Sequence, residues 1–95
     1  MIAALVFLLL AIGNQQVAPI FAKHCVRCHN HELDDGGISF ENFDTLRRVV
    51  VPGKPDDSAL LRAVRWDGDI RMPPGKKLSA REISAIRKWI LQGAR

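Results

Sequence analysis

The chain has 95 residues, with 25% charged and 6% aromatic side chains and a formal net charge of +4 at pH 7. This length is enough for one compact domain and too short for two, since a separate domain needs about 50 residues or more. So small a domain is expected to need a disulfide, a metal or a cofactor for stability. Basic and acidic residues are interspersed without long Lys/Arg runs, so we expect a solvated surface and no nucleic-acid partner.

An unbroken apolar segment occupies residues 2–12 and is followed by Gly13. Its length lies within the roughly 7 to 15 residues of a signal-peptide core and below the roughly 20 that span a bilayer. Ala11 and Gly13 supply the small residues that a cut before Asn14 requires. No Lys or Arg precedes the segment. An uncleaved anchor, or a true start further upstream, is therefore the alternative to a cleaved leader.

The apolar segment fixes the expected organisation and location. We expect residues 1–13 to be a signal peptide or hydrophobic leader, and residues 14–95 to form the folded domain. The protein is then exported, to the periplasm or another extracytoplasmic compartment. Contact with a membrane is expected only if the leader stays uncleaved.

Short helices and loops are predicted to alternate along the domain. Residues 17–26 read as a first helix with Pro19 in its first turn, where the missing N–H costs nothing. Residues 30–37 are polar and end in two glycines, which is typical of a loop. Residues 43–51 suit one or two helical turns, although three consecutive valines leave that assignment open.

A second half of the domain begins after the breakers Pro52, Gly53 and Pro55. Asp56 or Asp57 is predicted to cap a short helix, whose apolar residues are Leu60, Leu61 and Val64.

The last helix has the clearest pattern. Ser79 and Glu82 are spaced as a capping box, and Gly93 is a predicted stop. Its apolar stripe contains Ile83, Ile86, Trp89 and Ile90. No alternating strand pattern and no internal repeat is present, so the predicted fold class is all-α with much of the chain in loops.

The only two cysteines lie in the sequence Cys25-Val-Arg-Cys28-His29, the C-x-x-C-H arrangement of c-type haem attachment. Two thiols this far apart on one turn can each add to one vinyl group of a haem. The imidazole of the next residue is then directed at the iron. We therefore predict thioethers at Cys25 and Cys28 and a proximal iron ligand at His29.

Met72 is the only methionine besides Met1 and lies before Pro73 and Pro74, which prevent a helix around it. It is predicted to be the second axial ligand, because His/Met pairs are typical of electron-transfer cytochromes. The alternative is a methionine that fills a gap in the core.

The two cysteines have three other interpretations. A zinc site would need two ligands from His24, His29 and His31, all crowded beside the cysteines, whereas structural zinc sites take a second pair from a distant segment. A redox dithiol is expected in a βαβ setting, which this chain lacks. A plain disulfide leaves the adjacent histidine and the small core unexplained.

Several other residues are expected to have ordinary roles. His24 and His31 are assigned to the surface because they are too close to the cysteines to reach the opposite haem face. Trp66 and Trp89 are assigned to packing. Solvated arginines that are candidate partners of the haem propionates are Arg47, Arg65 and Arg71.

Beyond the haem motif, the chain resembles the small cytochrome c domains of planctomycete-type proteins over about residues 18–94. The resemblance rests on residues 25–29, Gly36-Gly37-Ile38, residues 51–60, Met72-Pro73-Pro74, Leu78-Ser79, Glu82-Ile83, Trp89-Ile90 and Gly93-Ala94. Two departures, Asn30 and the segment 40–42, concern the subfamily rather than the cofactor. Larger downstream regions of such proteins are not in this chain, which leaves open a free carrier or the front end of a longer protein.

The resemblance implies a cytochrome c fold with three to five short helices wrapped around one haem c. The first and last helices are expected to cross near Ile20, Phe21, Trp89 and Ile90. Cys25 and Cys28 would carry the thioethers, with His29 as proximal and Met72 as distal ligand.

The expected function is one-electron transfer between redox partner proteins, with no catalytic residue and no small-molecule substrate. The domain would be a carrier rather than an enzyme, either alone or within a larger oxidoreductase. The alternative is a haem with a labile distal ligand that binds peroxide or a small gas. A third possibility is a metal-binding or structural module without haem.

Overall fold

A computed structural model describes residues 16–30, 32–33, 35–41 and 43–95 of the chain. Within these ranges it contains four α-helices, namely α1 (Ala18–His24), α2 (Phe43–Leu46), α3 (Ala59–Arg65) and α4 (Ala80–Leu91). Two 3₁₀ helices cover Asp35–Gly37 and Pro55–Asp57. The described ranges hold no β-strand, in agreement with the predicted all-α class.

Two sequence predictions fall on residues without a description. The leader, residues 1–13, and His31 both lie outside the described residues. Among the helices that are described, none combines the length and the apolar character needed to cross a membrane.

Helix α1 begins with Pro19 in its first turn, as predicted, and carries Lys23 and His24 in its last turn, where the helix dipole favours cations. It ends two residues before the predicted boundary. The N–H groups of Cys25 and Val26 both donate to the carbonyl of Phe21, at 2.9 and 3.0 Å. This shared acceptor ends the regular helix, and the chain continues as a turn.

Helix α4 is built as its sequence predicts. Ser79 Oγ accepts the N–H of Glu82 at 3.1 Å, and Glu82 Oε1 accepts the N–H of Ser79 at 3.0 Å, which completes the capping box. Ile86, Trp89 and Ile90 are buried. After the helix ends, Gly93 adopts a φ of 105°, which suits the predicted stop.

The first and last helices meet at the expected place. The ring of Phe21 packs edge-on against Trp89, with 5.2 Å between ring centroids. Phe21 also contacts Phe40, at 4.8 Å. The core formed around these rings consists of Val17, Ile20, Phe21, Leu46, Val50, Leu60, Leu61, Val64, Leu78, Ile86, Trp89, Ile90 and Ala94.

The predicted aspartate cap of α3 is wrong. Asp56 and Asp57 lie inside the 3₁₀ helix that Pro55 begins, so the residue that precedes α3 is Ser58. Ser58 makes no side-chain cap to α3. Its fully buried hydroxyl instead accepts the N–H of Val51 and donates to the carbonyl of Lys54, both at 2.9 Å. The serine therefore fastens the loop before α3 rather than the helix itself.

The ambiguous segment 43–51 is helical only over Phe43–Leu46. Three turn residues follow, and the carbonyl of Val49 accepts the N–H of Leu60 at 2.9 Å. Val50 is buried in the core. The chain leaves the helix before the three valines, whose β-branched side chains have low helix propensity, and of these three only Val50 is buried.

Ile86→Ala is expected to lower the free energy of unfolding of the holoprotein by about 2–5 kcal/mol, because Ile86 is fully buried between α4 and the core. Leu91→Ala is the matched control on the same helix, since Leu91 is 52% exposed and should lose only about 0.5 kcal/mol. Denaturant titration of both variants measures the difference. Equal losses would contradict the core assigned to α4.

Candidate functional site

The turn after α1 carries the three residues of the predicted attachment motif. The N–H groups of Cys28 and His29 both donate to the carbonyl of Cys25, at 3.2 and 2.9 Å. The chain therefore winds once between Cys25 and His29, as the motif requires. Both cysteines are free thiols and both are partly buried.

The ring of His29 is oriented by a backbone contact. Its Nδ1 lies 3.1 Å from the carbonyl oxygen of Ile38. Because a carbonyl oxygen only accepts, Nδ1 carries the proton and donates it. The other nitrogen, Nε2, is then the one available to a metal, which is the arrangement common among metal-bound histidines.

Phe40, which follows the glycine pair Gly36-Gly37, makes two further contacts with His29. The N–H of Phe40 donates to the carbonyl of His29 at 2.7 Å, and the two rings lie 5.8 Å apart. Gly36 and Gly37 make this return possible, with φ values of 69° and 76° that residues with a Cβ rarely adopt. A Cβ at Gly37 would also lie 2.8 Å from a guanidinium nitrogen of Arg48.

Cys25 is partly buried and packs against the apolar core. Burial, and secondarily the nearby carboxylate of Glu82, raises the pKa of the Cys25 thiol to about 12. The group is therefore neutral at physiological pH. An apolar, uncharged sulfur at this position is compatible with a thioether to a hydrophobic macrocycle.

His24 does not have the plain surface role that was expected. Its Nε2 lies 2.8 Å from Glu82 Oε2, and both side chains are largely covered. Glu82 also belongs to the capping box of α4. The pair therefore ties the last turn of α1 to the first turn of α4, directly beside Cys25. No sequence signal indicates this contact, because its partners are 58 residues apart.

Glu82→Gln is expected to destabilise the holoprotein by about 1 kcal/mol at pH 7. The N–H of Ser79 first, and then the hydrogen bond from His24, hold the pKa of the Glu82 carboxyl below its ordinary 4.5. A lowered folded-state pKa means that the ionised group stabilises the fold above about pH 4.5. That stabilisation is lost as the pH falls through the folded-state value.

The measurement is the free energy of unfolding of wild type and Glu82→Gln between pH 7 and about pH 3. The difference between the two proteins should shrink as the pH falls. Asp69→Asn, which removes an exposed carboxylate, serves as the control. A difference that stays constant over the whole range would show that the Glu82 charge is not involved.

Met72 lies on a separate segment, in the loop between α3 and α4, and is 37% exposed. Its N–H donates to the carbonyl of Ala63 at 3.0 Å, and its carbonyl accepts the indole N–H of Trp66 at 3.1 Å. The structure thus brings Cys25, Cys28 and His29 together on one turn and attaches Met72 to the end of α3. Trp66, assigned to packing from sequence, contacts this loop.

The remaining candidate residues have varied surroundings. Arg47 is exposed, Arg65 lies 3.8 Å from Asp56, and the Arg71 guanidinium lies 5.8 Å from the centroid of the Trp66 ring. Among the described residues, no three His, Cys, Asp or Glu side chains are grouped as metal ligands would be.

Asn30, noted as a departure from the family pattern, closes the turn after His29. Its side-chain oxygen accepts the N–H groups of Glu32 and Leu33 at 2.9 and 2.8 Å, and its amide donates to the carbonyl of Val26 at 2.6 Å. These bonds form an Asx-type turn directly after His29.

Comparison with known proteins adds one match. The profile of the family described as planctomycete cytochrome C matches residues 25–76, which is more than half of the 95-residue chain. No curated protein and no solved structure matches it. The matched range begins at Cys25 and includes the turn, the glycine pair, α3 and the Met72 loop. This chain therefore belongs to the planctomycete cytochrome c family.

Proposed function

We propose that the domain carries one covalently bound haem c and transfers single electrons between redox partner proteins, without acting as an enzyme. The observation that supports this most directly is the contact between His29 Nδ1 and the Ile38 carbonyl. It leaves Nε2 for the iron, beside two free thiols on the same turn. Membership of a cytochrome c family supports the same conclusion.

Each residue of the site then has a defined task. The thiols of Cys25 and Cys28 would each form a thioether with one vinyl group of the haem, by addition of S–H across the double bond. His29 Nε2 and Met72 Sδ would be the two side-chain ligands of the iron. When bound, the haem would supply the one-electron change between ferrous and ferric iron. Ligation by the methionine sulfur would raise its reduction potential relative to that with stronger donors.

The chain's contribution to electron transfer is to keep this arrangement unchanged in both oxidation states. The Ile38 carbonyl fixes the His29 ring, and Phe40 packs beside it. Phe21 packs against Phe40 and is itself part of the buried core. No proton has to move and no substrate has to bind.

The mature domain is proposed to function outside the cytoplasm. Thioether attachment of haem and the apolar leader both favour a protein that matures outside the cytoplasm, with residues 14–95 as the mature domain. Its partners would be other exported redox proteins.

Expression together with a c-type haem maturation system tests the proposal. We expect the intact mass under denaturing conditions to exceed that of the polypeptide by one haem, and the visible spectrum to be that of a six-coordinate c-type cytochrome. A mass equal to the polypeptide alone, or metal analysis that finds zinc without iron, would refute it.

A further inference from the structure

Trp66 adopts a backbone conformation that is unusual for its residue type. It terminates α3 with φ 60° and ψ 35°, in the left-handed region. Glycine is the usual residue at such a helix end, because a Cβ makes this region unfavourable. A bulky aromatic residue held there indicates that its side-chain contacts compensate for the strain.

Those contacts involve the backbone of Met72. The indole Nε1–H of Trp66 donates to the Met72 carbonyl at 3.1 Å, while the Met72 N–H donates to the Ala63 carbonyl at 3.0 Å. The Ala63 carbonyl also accepts the N–H of Trp66, at 3.2 Å. Both polar backbone groups of Met72 are therefore bonded to the last turn of α3.

Arg71, which precedes Met72, makes further contacts around the Trp66 indole. The guanidinium of Arg71 lies 5.8 Å from the centroid of the Trp66 ring, and its Nε donates to the carbonyl of Gly68 at 3.5 Å. The cation therefore covers the indole whose N–H holds Met72. Residues 67–71 form a short loop that is fastened at both ends through Trp66.

We propose that Trp66 is a positioning residue for the distal ligand: its indole fixes the Met72 backbone at the end of α3 and so holds the sulfur in place for the iron. This inference rests on the proposed function, in which Met72 is that ligand. A ligand whose backbone is fixed loses less conformational freedom when it binds. Without the indole N–H, Met72 should dissociate more readily and external ligands should compete better.

The test uses the holoprotein and the variants Trp66→Phe and Trp66→Gly. The first removes the indole N–H and keeps an aromatic ring, whereas the second also relieves the left-handed backbone. Trp89→Phe is the matched control, because the Trp89 indole also donates to a backbone carbonyl, that of Arg95 at 3.0 Å, and is part of α4. The readouts are imidazole affinity of the ferric protein and the weak red-end absorption band of iron–methionine ligation.

Both Trp66 variants should bind imidazole about fivefold more tightly than wild type, the equivalent of one neutral hydrogen bond, and their red-end band should weaken. Trp89→Phe should keep wild-type imidazole affinity and the red-end band, because the Trp89 indole is bonded to Arg95 and not to Met72. It should unfold more easily than wild type, because Trp89 is buried in the core. A Trp66→Gly protein as stable as wild type but with tighter imidazole binding would separate positioning from global stability.

Two results would overturn the proposal, and they are distinguishable. If both Trp66 variants bind imidazole no more tightly than Trp89→Phe does, Trp66 has only a structural role and the ligation of Met72 is unaffected. If wild-type protein lacks the red-end band and Met72→Ala leaves imidazole affinity unchanged, Met72 is not the ligand. The proposed ligation and the role of Trp66 then fail together.

Discussion

Replacing both Cys25 and Cys28 by Ala is expected to abolish nearly all holoprotein, whereas each single replacement should leave one thioether. The turn at Cys25–His29 carries the only two cysteines of the chain, so no other thiol can substitute. The haem would then be held only through its iron, by His29 and Met72. A small domain buries only a modest fraction of its apolar surface, so loss of the haem should also lower the stability of the double variant.

Acid-acetone extraction followed by intact mass measurement provides the readout. Wild-type haem should stay with the protein, whereas each single variant should retain at most one covalent link. Arg27→Ala is the control, because Arg27 lies between the two cysteines and is exposed. Extractable haem from wild type, or full retention by the double variant, would contradict thioether attachment.

Met72→Ala is expected to keep haem attachment and His29 ligation while opening the opposite axial position. Those two contacts are local to the turn after α1, and Met72 lies on a separate loop. The reduction potential should fall by on the order of 0.1 V or more, a fraction of the roughly 0.8 V that axial ligands control. The red-end band should disappear. His24 should not replace the sulfur, because it is bonded to Glu82.

Redox titration and visible spectra of Met72→Ala check this expectation. Ile70→Ala is the matched control, since Ile70 belongs to the same loop and is 67% exposed. It should leave potential and band unchanged. If Met72→Ala retains the wild-type potential and spectrum, Met72 is a packing residue and some other group, or none, occupies that position.

Sequence reasoning succeeded where the controlling interactions are local. The capping box of α4 joins Ser79 to Glu82 across three residues, and the turn at Cys25–His29 closes within five. It failed for the cap of α3, because Pro55 draws Asp56 and Asp57 into a 3₁₀ helix and leaves Ser58 in the cap position.

Contacts between residues far apart in the chain, and contacts with backbone groups, could not be predicted from the sequence. The bond between His24 and Glu82 depends on how α1 crosses α4, and periodicity alone does not indicate which polar residues meet there. The acceptor for His29 is a backbone carbonyl, which any residue at position 38 supplies. The Ile38 carbonyl approaches the His29 ring because Gly36 and Gly37, just before it, adopt left-handed backbone conformations. The predicted ligation by Met72 stays a prediction that the variant above tests.

Electron transfer without substrate binding, as proposed for this domain, requires that both axial positions of the haem are filled. Adding carbon monoxide to the reduced holoprotein at neutral pH tests this requirement. We expect carbon monoxide to leave the visible spectrum of the wild-type protein unchanged and to alter that of Met72→Ala. Ready binding of the gas by wild type would contradict stable His/Met ligation and favour a haem that binds peroxide or a small gas.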